Sequence, residues 1–233
     1  MDNAGRARQR VLALFLPIAA VLYISAEALS PKGTDQVATD TATALKLLAI
    51  AAKHPTQLYV AGTCAVLGLG ALAVSYAAIA ALARNRGAAL ATVAALIGGI
   101  GAFCGAIIEV LVFPNLAAAA TAHTTRGAAA QFLVTTFNSG FGHGFEYAYF
   151  IGIYVAPLLM GVALWRSRAV PRWLAVLFFA GLEVAQQQIS SGPVVILYML
   201  PFAAAMVLLA ARIWQAAALP ASRPQPEPAS VPA

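Results

Sequence analysis

The fold follows from the stretch LYVAGTCAVLGLGALAVSYAAIAALARNRGAALATVAALIGGIGAFCGAIIEVLVF, residues 58–113. Two apolar runs, Leu58–Ala83 and Ala88–Phe113, flank the short basic turn ARNRG at 83–87. Each run exceeds the roughly 20 apolar residues that a helix needs to cross a bilayer core. In lipid every backbone N–H and C=O must be paired internally, so only helices or closed barrels cross. The runs are rich in Ala, Leu and Gly and do not alternate with period two, which selects helices. One acid interrupts them, Glu109, and it raises the question of what tolerates a carboxylate there.

The same pattern repeats outward from this hairpin. Further apolar runs are Val11–Leu29, Phe141–Trp165, Trp173–Gln187 and Val194–Trp214, six in all. The chain is 61% hydrophobic and 9% charged, against about 25% charged in soluble domains. It cannot cover a globule with polar surface. The reading is therefore an all-α, polytopic six-helix transmembrane bundle whose solvent is the lipid bilayer. Residues 1–10 form a short N-terminal segment, 11–214 the membrane domain, and 215–233 a disordered tail with five prolines in SRPQPEPASVPA (222–233) and nearby.

Net charge is +6, yet its distribution excludes nucleic acid as the partner. Arg6, Arg8, Arg10, Arg84, Arg86, Arg166, Arg168, Arg172, Arg212 and Arg223 fall on one side of a six-span chain; Lys32, Lys46, Lys53 and Arg126 fall on the other. By the positive-inside rule both termini are cytoplasmic. Span one carries an alternative. Three arginines, the apolar Val11–Ile24 and Ala26-Glu27-Ala28 also resemble a cleaved signal peptide, whose removal would start the mature chain at Leu29. The apolar run continues through Leu29, and a retained helix keeps the arginine pattern consistent.

Two long connections lie on the outer side. In 30–56, Thr39 or Asp40 is placed to cap a short helix ending near Lys53, before Pro55, with Leu45, Leu48 and Ala52 as its apolar stripe. It reads as an outer interfacial helix. The second connection, 114–140, reads as helical on both sides of Arg126-Gly127. Cys64 and Cys104 fall within spans and read as small buried hydrophobes.

Candidate chemistry is confined to the outer half. Glu27, Glu109 and Glu183 come late in outward-running spans and Glu146 early in an inward-running one, and His54, His123 and His143 are on the outer side too. Ala94, Gly98, Gly101, Gly105 and Glu109 form one small-residue stripe, which turns Glu109 toward a helix contact. His143, Glu146, Tyr147, Phe150 and Tyr154 share a face of span four; Gln187 lies one turn past Glu183. Ionisable side chains within spans face the bundle interior or a water-filled cavity and mark functional sites. The primary expectation is an outward-facing pocket for a small ligand, cation or proton, lined by Glu27, Glu109, His143, Glu146, Glu183, Tyr147, Tyr154 and Gln187. The competing reading is a set of unrelated interfacial acids that snorkel to headgroups or pair with Lys46, Lys53 or Arg126.

Two other function classes stay open. A membrane metalloenzyme would use His143 and Glu146 at i, i+3, with His54 or His123 completing a zinc site. A non-catalytic sensor or accessory subunit would use the small-residue faces for helix association. No GxSxG, P-loop or HExxH motif is present, and no cofactor is indicated beyond zinc under the metalloenzyme reading. A homodimer or a membrane partner protein is the companion expected of so small a bundle.

The KHP step (53–55), the LARNRGAALA turn (82–91) and RSRAVPRWL (166–174) together resemble a large group of small integral membrane proteins of high-GC Gram-positive bacteria. The group is marked by His-Pro before span two and a basic PRW segment after span four. The resemblance implies six helices and interfacial anchoring by Arg166, Arg168, Arg172 and Trp173. It implies no activity.

Overall fold

The computed structural model describes residues 3–34, 38–83, 85–122, 124–186 and 194–218. The helices among them, in chain order, are α1 (Asn3–Leu29), α2 (Thr41–Ala51), α3 (Pro55–Ala80), α4 (Ala88–Thr121), α5 (Arg126–Phe137), α6 (Gly140–Ser167), α7 (Arg172–Gln186) and α8 (Val195–Ala218). The described residues contain no strand. Five helices, α1, α3, α4, α6 and α8, are long and apolar enough to cross a membrane, so the chain is an all-α, multi-pass membrane protein. The expected run Trp173–Gln187 forms α7, whose 15 residues rise about 22 Å at 1.5 Å per residue and fall outside that set. Helix α8 runs to Ala218, past the expected end of the membrane domain at Trp214. Asp2, Asp35, Arg84, His123, Gln187 and the Pro-rich stretch 219–233 lie outside the described residues.

The long helices and α7 close into a ring. Each packs on the next, α1 on α3, α3 on α4, α4 on α6, α6 on α7 and α7 on α8, and α8 returns to α1. Short connections make sequence neighbours antiparallel. Glycine sets how closely they approach. Gly101 and Gly152 face each other across α4 and α6, and a Cβ on either would run into the other's Cα. A Cβ on Gly98 would lie 2.7 Å from the Tyr76 ring, one on Gly68 3.0 Å from the backbone N of Tyr23, and one on Gly181 2.8 Å from the backbone N of Phe202. Such contacts drive helix association in lipid, where no hydrophobic gradient separates helix from solvent. Leu16, Tyr76, Met160, Leu164, Leu174, Phe178 and Phe202 fill the centre, all fully buried.

The two ends of the ring differ. At the basic end the Arg10 guanidinium lies 5.6 Å from the centre of the Trp214 ring and that of Arg172 5.1 Å from that of Trp165. At the opposite end α4 continues through Pro114. Its 34 residues span about 51 Å, against a hydrocarbon core of about 30 Å. The excess carries a second small core, with Leu47, Leu48 and Ala51 of α2 and Ala129, Ala130 and Leu133 of α5 packed on Phe113, Leu116 and Ala117.

The outer helix α2 forms as the capping signal directs. Asp40 is its N-cap, accepting hydrogen bonds from the Thr43 N–H and the Thr43 hydroxyl, both 2.8 Å. Its buried face is Ala44, Leu47, Leu48 and Ala51, whereas Leu45 is exposed. The stripe is rotated from the expected Leu45–Leu48–Ala52 because α2 packs on α4 and α5. Helix α5 occupies the second outer connection, capped by Thr125. Both cysteines are free; Cys104 is buried and Cys64 half-buried.

Candidate functional site

The helix contacts fix a common level. Gly68 touches Tyr23, and a Cβ atom placed on Gly105 would meet both Leu69 and Tyr149. Tyr23 also meets Phe202 edge to face, with ring centroids 6.4 Å apart. Residues Tyr23 (α1), Leu69 (α3), Gly105 (α4), Tyr149 (α6) and Phe202 (α8) therefore share one depth. Glu27 and Glu109 each stand four residues beyond it toward the α2–α5 end, about 6 Å. Glu183 stands two residues beyond Gly181, and Glu146 three residues beyond Tyr149. All four helical carboxylates lie within about one turn of each other in depth.

Depth does not place them together. Glu109 is 9% exposed, within the buried stripe Ala94–Gly98–Gly101–Gly105 that positions it. Its carboxylate is within electrostatic reach of Glu27, which is half-buried. Tyr23 and Tyr149, 3% and 8% exposed, lie within electrostatic range of both acids, and their hydroxyls share a hydrogen bond. Two acids and two phenols from α1, α4 and α6 thus form one polar cluster inside an apolar ring.

Glu183 belongs to another grouping. Its Oε1 is buried with no hydrogen-bond partner among the described residues, and the same holds for the Tyr76 hydroxyl. The Tyr76 hydroxyl lies within electrostatic range of Glu183. Tyr76 is held by Phe178, ring centroids 6.5 Å apart and nearly perpendicular.

Glu146 lies on the outside of α6. Its Oε2 is 3.4 Å from Nδ1 of His143, and the two side chains are 35% and 47% exposed. Tyr147 and Tyr154 extend this exposed face, Tyr147 stacking toward His143 and Tyr154 on Phe150. The eight residues expected to line one pocket thus divide. Glu27 and Glu109 are within electrostatic range of each other, Glu183 lies in range of Tyr76 without bonding it, and His143, Glu146, Tyr147 and Tyr154 line an outer flank. Gln187 is outside the described residues. For the metal reading, His143 and Glu146 do meet, His54 stands at the start of α3, and His123 is outside the described residues. No group of three His, Cys, Asp or Glu side chains able to hold a metal occurs among the described residues.

Tyr149 and Tyr76 are the members the sequence did not single out. The signal for Tyr149 was available: Gly152, Ala156, Met160 and Ala163 mark the packed face of α6, all buried. The polar residues of that helix drew attention to the opposite face. Tyr76 carries no such mark, since only Gly98 on another helix makes room for its ring.

Comparison of the chain with family models, with curated proteins and with solved structures finds no match.

Proposed function

We propose that this protein binds a small ligand, with a cation or a proton the best fit, through the Glu27–Glu109–Tyr23–Tyr149 cluster, reached from the outer face of a bacterial cytoplasmic membrane. One observation carries the reading: a buried intramembrane glutamate lies within electrostatic range of a second, half-buried glutamate on another helix. Carboxylates retained there at such desolvation cost mark ion and proton paths. Glu183 and Tyr76, both with buried polar atoms unsatisfied among the described residues, form a further polar step in the same bundle. The test is proton or monovalent-cation flux in proteoliposomes. Glu109→Gln lowers flux by roughly tenfold, the effect of about 1.4 kcal/mol of lost binding. Glu146→Gln leaves it unchanged. Flux indifferent to Glu109→Gln sinks the reading.

The arginines and α7 support one orientation. Helix α7 leaves the basic end at Arg172, and Gly181 reaches the Phe202 backbone at the Tyr23 level. Beyond that contact α7 continues five residues and α8 begins seven earlier, so the two end near one height. This supports α7 as a sixth crossing and both termini as cytoplasmic. Thiol labelling of Ser167→Cys only from the inside of vesicles, and of Thr124→Cys only from outside, tests it.

A membrane zinc enzyme is the second reading, favoured by the His143–Glu146 contact on the exposed flank. Purified protein without stoichiometric zinc removes it. A sensor or accessory subunit, as a homodimer or beside a membrane partner, is the third; co-purification in fixed stoichiometry with no flux favours it.

A further inference from the structure

Where the chain leaves α1 and enters α3, an open cleft of about 540 Å³ is lined by Ala28, Ser30, Lys32, Lys53, His54 and Gln57, with Pro31 and Ile50. Its walls are fixed. The Gln57 side-chain amide donates to the Leu29 carbonyl at 2.6 Å, tying the start of α3 to the end of α1. The Ser30 hydroxyl donates to the Ala26 carbonyl and the Thr34 hydroxyl to the Pro31 carbonyl, which hold the turn carrying Lys32. Lys53 and His54 follow α2 directly, and the α2–α4–α5 core fixes that helix. Two of the chain's three lysines thus converge on one cleft. Neither has a carboxylate within salt-bridge distance among the described residues, and Asp40, the nearest acid along the described chain to Lys46, is occupied in capping α2.

We propose that this cleft binds a phosphate-bearing anion. Two lysine ammonium groups are compact, strongly hydrated cations suited to phosphate as point charges, and the volume lies in the range of small-ligand sites. The cleft stands at the ends of two membrane-crossing helices, at headgroup height, so a phospholipid headgroup and a free phosphate or phosphate monoester present the same chemistry to it. The site is separate from the Glu27–Glu109 cluster, and its binding does not depend on flux.

Two arms distinguish the sources, both on the full chain. In native mass spectrometry from nanodiscs of mixed phosphatidylglycerol and phosphatidylcholine, retained phosphatidylglycerol should exceed phosphatidylcholine. Calorimetric titration with inorganic phosphate in a neutral detergent tests the free anion. Each lysine near an anionic surface contributes enough that Lys32→Gln/Lys53→Gln should weaken whichever probe binds by roughly 10- to 30-fold. Lys32→Arg/Lys53→Arg should retain it, which shows that the loss is not misfolding. Lys46→Gln, a charge on α2 outside the cleft, should change nothing. Loss in the lipid arm assigns a headgroup; loss in the phosphate arm assigns a free anion. Equal binding by wild type and the double glutamine variant in both arms, or an equal loss with Lys46→Gln, overturns the proposal.

Discussion

Two faces at the same depth, the interior side of α4 and the outer flank of α6, hold a glutamate each with opposite outcomes. Glu109 is buried within electrostatic range of Tyr23, Tyr149 and Glu27, while Glu146 stands half-exposed with His143. The difference is azimuth. Glu109 follows the glycine stripe by which α4 approaches α3 and α6, so its side chain enters the contact. Glu146 precedes the inward-facing Tyr149 by three residues and is carried to the flank. In a helical bundle, height within the membrane tells how far a group is from water, and the packed face tells what it meets.

This contrast can be broken most strongly at the glycine crossing. Gly101→Leu should cost about 3 kcal/mol or more through overpacking, because Gly152 backbone occupies the space. Gly144→Leu, on the flank with nothing within 4 Å, should cost close to nothing. Reversible denaturation in mixed micelles reads both, and equal effects would mean that α4 and α6 do not cross there. Next comes the phenol pair. Tyr149→Phe should lose about 1 kcal/mol, the usual net value of a hydrogen bond, and Tyr147→Phe on the flank should be neutral in the same assay.

A third effect is confined to the outer cap. Hydrogen bonds from Thr43 hold the Asp40 carboxyl below its ordinary value of 3.8. Its ionised form therefore stabilises α2 above that pH, and the contribution is lost as pH falls through the lowered folded-state value. Asp40→Ala should speed amide exchange in the first turn of α2 at neutral pH and leave no difference from wild type in strong acid. Exchange in α1, α3 and α4 should not respond. The smallest effect belongs to the His143–Glu146 pair: Glu146→Gln should shift the midpoint by no more than about 0.5 kcal/mol, as for exposed ion pairs.

Much of this was legible in the residues. Apolar run length located the long helices, Thr39 or Asp40 bracketed the cap of α2, which is Asp40, and the 94–98–101–105–109 spacing turned Glu109 inward. Less legible was the company each acid keeps. The polar face of α6, from His143 to Tyr154, looks like a binding face, but the helix packs through Gly152, Ala156 and Ala163. The reason is that lipid does not penalise an exposed aromatic ring as water does, so polarity along a membrane helix is a poor guide to its inner side. Small residues are a better one, because they permit backbone approach.

Residue types and their order are enough to make this chain helical and to place it in a bilayer, since length and apolarity alone satisfy backbone groups there. They also set the depth of its carboxylates, since rise per residue is fixed. That Glu27 comes within electrostatic range of Glu109 while Glu183 and Glu146 go elsewhere emerges only when the helices pack. Which helices neighbour one another, and by which faces, depends on side-chain contacts between segments far apart in the chain, and no local pattern encodes the closure of α8 onto α1.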